Sequence, residues 1–246
     1  MIELARALAR SSYAVAFTGA GVSADSGIPT FRGPGGLWSR YRPEELATPE
    51  AFLRDPLLVW EWYKWRQELI YRAAPNPAHI ALAKLEKMGI IKSIITQNVD
   101  GLHERAGSQT VVELHGNIWR LRCIRCGATM TTERPVDVIP PRCPRCGGLM
   151  RPDVVWFGER LPAGEWEKAV DHASRADIML VVGTSGAVFP AAYLPRLAKD
   201  RGAKIAVIDP GDTAFDDIAD FRVRERAGEA LPKLVEYVEA ILRGSL

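Results

Sequence analysis

Four cysteines, the chain's whole complement, stand as Cys123-x2-Cys126 and Cys143-x2-Cys146, with sixteen residues between the pairs and a glycine after each pair. A Cys-x2-Cys-Gly knuckle aims two sulfurs at one point, and two such knuckles supply the tetrahedral thiolate set of a zinc ribbon. Two disulfides are the other reading, disfavoured in an intracellular chain. Four thiolates leave no open coordination position, so one structural Zn2+ is expected, with no part in the chemistry. A second candidate follows the apolar run "AVAF". In "TGAGVSADSGIPTFRG", Thr18 to Gly33, Gly19 and Gly21, flanking Ala20 and followed by Ala24, fit a dinucleotide fingerprint. Glycines there allow a tight turn and close backbone approach to a pyrophosphate, and the next helix start offers free amides. The fingerprint also requires an acidic residue ending the next strand, where this chain has the irregular "GLWSRYRPEEL", so a hydride-transferring dehydrogenase loses ground. Asp209, closing "KIAVID" before Pro210 and Gly211, is the alternative ribose ligand, and a turn carboxylate is an equal reading. A third candidate lies in "WEWYKWRQELIYR", Trp60 to Arg72. Tyr63 and Arg66 share one helical face at this spacing, so a phenol and a guanidinium fork can meet one anion.

These groups need a scaffold. The chain of 246 residues is 47% hydrophobic and 25% charged, enough for one large domain or one large and one small. Its 32 basic and 30 acidic residues are mixed, giving a formal charge of +2. No basic block would track a phosphate backbone, so nucleic-acid binding is not expected. No apolar run approaches the ~20 residues of a membrane span. The first helix, Ile2 to Ala9, is interrupted by Glu3 and Arg6 before a signal core forms, and a cytoplasmic location without membrane attachment is expected.

Apolar runs without polar alternation occur at 13–17, 90–96, 110–115, 177–183, 203–209 and 220–225. Such runs suit strands covered on both faces, hence a mostly parallel sheet. Between them lie helical patterns such as "NPAHIALAKLEKMG", where Asn76 caps, Pro77 suits the first turn and Gly89 closes the end. The expected fold is α/β, a doubly wound, Rossmann-like sheet built from residues 1–32, 76–121 and 152–246. Residues 122–151, rich in Cys, Pro, Gly and Arg, read as an inserted zinc-ribbon module. Residues 33–75 are too long for a plain βα connection and read as a helical insertion.

"GAGVSADSGIPTFRG", "TQNVDGLHERAG", "LHG", the four-cysteine module, "VVWFGE" and "GTS", in this order along nearly the whole chain, resemble the sirtuins, NAD-dependent protein lysine deacylases. In that family nicotinamide leaves the ribose carbon of NAD as the substrate's amide oxygen attacks, and a ribose hydroxyl then attacks the resulting imidate. The resemblance implies His115 as base for that hydroxyl; an imidazole ending a strand faces the crevice and titrates near neutral pH. It implies that Asn98 orders the ribose and a water, Gln97 contacts ribose hydroxyls and Asp100 contacts the nicotinamide amide. His103 reads as a helix-surface or structural residue. Ser23 and Asp25 can cap a helix; the resemblance adds phosphate contact there. Phe31 and Arg32 correspond to a mobile cover over the cofactor, with Trp38 beside it, and Gly183, Thr184 and Ser185 to the adenosine half, with Asp209, Pro210 and Ala227 nearby. Asp209 departs from the asparagine associated with that position.

For the acylated lysine, the resemblance implies two strands, Val154 to Glu159 and Gly186 to Phe189, that clamp a substrate backbone by strand addition. Val155, Phe157, Gly158, Glu159 and Val188 are the contacts, with a carbonyl near Val155 accepting the amide hydrogen. One sirtuin class, class III, carries Tyr-x-x-Arg where this chain has Tyr63 and Arg66, which implies succinyl or malonyl groups beside acetyl. Competing readings are a protein mono-ADP-ribosyltransferase, a redox enzyme, and a non-catalytic zinc-ribbon protein that binds nucleic acid.

Overall fold

Five consecutive buried residues in Ala14–Thr18, and again in Ile178–Val182, leave no wet face for either strand. Both therefore lie in the middle of a sheet with helices on each side. The protein is described here by a computed structural model covering residues 1–33 and 35–245. In chain order the elements are α1 (Ile2–Arg10), β1 (Ala14–Thr18), α2 (Pro43–Leu46), α3 (Pro49–Arg54), α4 (Pro56–Arg72), α5 (Pro77–Lys87), β2 (Ile91–Thr96), α6 (Leu102–Arg105), β3 (Val111–Glu113), β4 (Gly116–Cys123), β5 (Thr129–Thr131), β6 (Met150–Val154), α7 (Ala163–Arg175), β7 (Ile178–Val182), α8 (Tyr193–Asp200), β8 (Lys204–Ile208), β9 (Phe221–Val223) and α9 (Ala227–Leu242). Among the described residues no helix is long and apolar enough to cross a membrane.

The large sheet runs β3-β2-β1-β7-β8-β9, and every pairing is parallel. The chain works outward from β1 to β3, then returns to the other side of β1 with β7. Its order reverses between β1 and β7, and in such sheets that switch point opens a crevice at the carboxyl ends of the strands. Thr18 pairs with Thr96 on one side and Val182 on the other, which sets "TGAG", "TQNVD" and "VGTS" side by side at the crevice rim. One face of the sheet is covered by α1, α5 and α9 through Leu4, Leu8, Leu82, Leu85, Leu231 and Leu234. The other is covered by α7 and α8 through Ala169, Ala173, Leu194 and Ala198.

A third core joins the helical insertion to the cysteine-rich segment. β5-β4-β6 form a small antiparallel sheet, with strands running from Gly116 to Val154 and so beyond the segment 122–151. Phe52, Trp60, Ile118, Leu121, Met150 and Trp156 pack with Cys123 and Cys143 in this core. Two polar staples lock it. The Trp60 indole donates to the Met150 carbonyl at 2.8 Å, and buried Gln67 donates to the Ile118 carbonyl at 2.9 Å while accepting from the Val136 amide at 3.1 Å.

Two local expectations differ from what forms. The glycine loop enters a tight 3-10 turn, Ala20–Ser26, rather than an α-helix, and is closed by Gly27 at φ +81°. Val155–Glu159 and Gly186–Phe189 lie in no ladder, because β6 stops at Val154 and left-handed Gly158 (φ +85°) and Gly186 (φ +77°) break the extended backbone.

Candidate active site

The glycines of the loop are required first by protein, not by ligand. A Cβ on Gly19 would lie 2.7 Å from the Thr184 Cβ, and one on Gly21 2.7 Å from the Gly183 Cα. Gly21 donates to the Gly183 carbonyl at 2.9 Å, so the two crevice loops are zipped backbone to backbone. Gly21→Ala is expected to lower stability by about 1–3 kcal/mol through overpacking that neither backbone can relieve. A chemical-denaturation midpoint unchanged from wild type would contradict that packing.

β2 and β3 deliver the polar groups. The Asn98 amide N–H donates to the Thr96 hydroxyl at 3.0 Å, and its side-chain nitrogen to the Gly19 carbonyl at 3.0 Å. Gln97 reaches the Thr184 hydroxyl at 3.0 Å, bridging β2 to the β7 loop. His115 follows β3, with Nδ1 3.1 Å from the Gln97 carbonyl oxygen. A carbonyl only accepts, so Nδ1 carries the proton and Nε2 keeps its lone pair, the form a general base needs. Burial pulls the His115 pKa below its ordinary value. Gly116 is left-handed at φ +80°, and the Asp153 backbone leaves its Cβ no space, which explains the glycine of "LHG".

Beneath this lies a buried layer. Asp100 accepts the Ser23 hydroxyl at 2.7 Å and the Leu102 amide at 2.9 Å. His79, fully buried, accepts the Asn76 amide at Nδ1 (3.2 Å) and faces Ser23 Oγ with Nε2 at 3.3 Å. His103 is buried, not on a helix surface, and bonds Thr18 Oγ1 through Nε2 at 2.9 Å. Burial, then the neighbouring His79, drives the His103 pKa down to about 3, so the ring is neutral at physiological pH. The sequence reading did not single out His79; its one signal was the position three residues after the capping Asn76, where it closes a capping box.

Other candidates are already engaged. Ser23 lies within the 3-10 turn and caps no helix. Asp25 pairs with Arg226 at 3.0 Å and rests on the first turn of α9, beside buried Ala227, where the helix dipole favours a carboxylate. Asp209 accepts the Gly211 amide at 2.8 Å as a turn carboxylate, its pKa raised by burial, and Pro210 is exposed. Ser185 is exposed, and its carbonyl accepts from Ala214 at 2.9 Å. Arg32 is exposed, whereas Phe31 turns inward against Trp38, ring centroids 5.2 Å apart.

The cysteine sulfurs all lie within 4.8 Å of one another, with Cys123 and Cys146 at 3.5 Å and Cys126 and Cys143 at 3.7 Å. Tetrahedral zinc with bonds of about 2.3 Å sets its sulfurs roughly 3.8 Å apart, so the set fits the ion. Backbone amides of Cys126 and Arg125 point at the Cys123 sulfur and lower its pKa to about 6, favouring the thiolate.

A family model described as "Sir2 family" matches residues 19–190. The chain is 61% identical over 242 residues to the NAD-dependent protein deacylase 2 of Pyrobaculum aerophilum, covering 98% of this chain and 97% of that one. The chain belongs to the Sir2 family. The NAD-dependent protein deacylase of Pyrococcus furiosus is 58% identical over 245 residues, covering 97% and 98% of the two chains. A Sir2 homologue solved with NAD superposes with a TM-score of 0.93 at 51% identity, covering 98% of this chain and 94% of that one. A Sir2 complex with a p53 peptide and NAD+ gives 0.85 at 39% identity, covering 95% and 96%.

On this Sir2 scaffold α4 carries a buried cluster that is aromatic and cationic. Tyr63 and Arg66 are 2% and 8% exposed on α4. The guanidinium lies 5.0 Å from the Phe31 ring centroid and 4.9 Å from that of Trp62, and among the described residues it meets no carboxylate. Trp38 stacks on Trp62 at 5.7 Å and touches exposed Phe157. The Val155 amide donates to the His115 carbonyl at 2.8 Å, and the Phe157 amide to the Ala47 carbonyl at 2.9 Å, so the segment after β6 is fastened between the end of β3 and the insertion. Gly158 is exposed, Val188 half-buried. Glu159 turns inward instead, gripped by Arg151 through both carboxylate oxygens (2.5 and 2.9 Å).

Proposed function

We propose that this chain is an NAD-dependent protein-lysine deacylase that removes acetyl groups and, through Tyr63 and Arg66, succinyl or malonyl groups, releasing nicotinamide and O-acyl-ADP-ribose. The observation that carries the reaction is His115 Nδ1 held 3.1 Å from the Gln97 carbonyl oxygen at the carboxyl ends of β2 and β3, an arrangement that leaves the lone pair on Nε2. Relatives named as NAD-dependent protein deacylases, and a neighbour solved with NAD, support it. The loop around Ala20 and Ser23 would lie against the pyrophosphate, Gln97, Asn98 and Asp100 would hold the nicotinamide-ribose half, and Gly183–Ser185 the adenosine half. The dinucleotide supplies an electrophilic ribose carbon. The chain supplies the rest: His115 takes a proton from a ribose hydroxyl, Asn98 and Gln97 orient the sugar, and Phe31 shields the face from water.

Acyl preference follows from Arg66. A buried cation without a carboxylate favours an acyl chain that ends in one, by about 1.5–3 kcal/mol for a charge-assisted bond. With acetyl-, malonyl- and succinyl-lysine peptides competing for NAD, Arg66→Met is expected to lose acidic-acyl turnover and keep deacetylation. Equal loss on all three peptides would make Arg66 structural. Adenine-labelled NAD separates the transferase alternative, since the label should leave as a small acyl ester and not remain on protein.

A further inference from the structure

Tyr63 does not stand alone. The Trp156 indole N–H donates to its phenol oxygen at 2.8 Å, both groups being buried and 93 residues apart. Arg151, 5% exposed, places its guanidinium over the Trp156 ring with Cζ 3.5 Å from the centroid. Arg151 is fixed in turn by Glu159, which also accepts the Trp156 amide at 2.8 Å, and by the Val154 carbonyl at 2.7 Å. The indole is therefore held on its face by a cation, at its backbone by a carboxylate, and at its nitrogen by the phenol.

A phenol oxygen carries one proton and accepts elsewhere. With Trp156 occupying its acceptor side, the Tyr63 proton is left to point away from the indole. Burial raises the phenol's pKa above its ordinary value, which keeps that proton on. We infer that Trp156, locked by Arg151 and Glu159, is a positioning residue for acyl selectivity: it turns Tyr63 into an obligate donor toward the acyl carboxylate held by Arg66. The inference rests on the acidic-acyl reading of Tyr63 and Arg66. It also gives Glu159 a task other than touching the peptide, and it explains why a tryptophan, not merely a large ring, sits in "VVWFGE".

The experiment measures kcat/KM for succinyl- over acetyl-lysine peptide as a ratio in zinc-loaded protein. Trp156→Phe removes the N–H, and 3-benzothienylalanine at 156 removes it with the bicyclic shape retained, so a folding defect in the first does not end the test. Both are expected to lower the ratio about tenfold, through a raised KM for the succinyl peptide. Tyr63→Phe should lower the ratio similarly, and the double variant Tyr63→Phe/Trp156→Phe no further, because the two act through one hydroxyl. An unchanged ratio with benzothienylalanine, or a loss shared equally by both peptides, overturns the positioning role. If Arg66→Met also leaves the ratio unchanged, the acidic-acyl reading itself fails. If Arg66→Met alone collapses the ratio, only the role of Trp156 is lost.

Discussion

His115→Ala is expected to slow deacylation by about 10²- to 10⁴-fold, the usual contribution of a positioned general base. The imidazole touches the fold through one bond, to the Gln97 carbonyl, so the loss should fall on kcat with KM for NAD changed only a few-fold. Nicotinamide release with an acylated peptide reads the first, and NAD titration the second. The pH profile carries a sign. Burial lowers the His115 pKa, so the neutral base persists to lower pH than a free imidazole allows. Activity should be flat above pH ~6.5 and fall only as pH drops through that lowered value. An acid limb centred above the ordinary histidine value would place another group in the role. Stability follows the same direction. His79, His103 and His115 all have folded-state pKa values below the ordinary one. The unfolded chain therefore takes up protons that the native state refuses, and stability present above pH ~6.5 is lost as pH falls.

The large sheet was legible because its strands are buried on both faces and show it residue by residue, as in "IMLVV" and "AVAF". The cysteine site was legible because all its ligands lie within one segment. What escaped was long-range pairing. The glycine spacing signalled a close approach, but the nearest obstacles are Thr184 and the Gly183 backbone at the end of the neighbouring strand. Nothing local shows that Asp25 pairs with Arg226, 201 residues later. Nor does local pattern show that Glu159 is held by Arg151. Local pattern reports which side chains are polar, and tertiary folding decides which have already been spent. Arg66 is informative for the opposite reason. The spacing marked only a shared helical face; the structure adds that the guanidinium is buried among rings with no carboxylate in contact among the described residues, an unfavourable arrangement for a folded chain alone.

Removing the zinc is expected to have the other large effect, and an uneven one. Metal binding by four thiolates contributes apparent free energies of about 10–16 kcal/mol in isolated zinc modules, more than the core around this site can replace. Cys123 and Cys143 are buried in the same core as Trp60, Met150 and Trp156. That core carries Tyr63 and the insertion but includes none of the residues packed on the parallel sheet. Chelation, or Cys143→Ser, should therefore melt β4–β6, loosen α4 and abolish acyl selectivity, although no substrate touches the metal. α1, α5 and α9, with their own core against the large sheet, should keep much of their structure. Hydrogen exchange before and after chelation checks this: protection should vanish across 116–154 and 43–72 and persist in 77–96 and 227–242. If the zinc-free protein keeps its melting midpoint and its preference among acyl peptides, the ribbon neither holds the insertion nor shapes the pocket. Loss of protection across the large sheet as well would mean that the cores fold as one unit, with the zinc stabilising the whole.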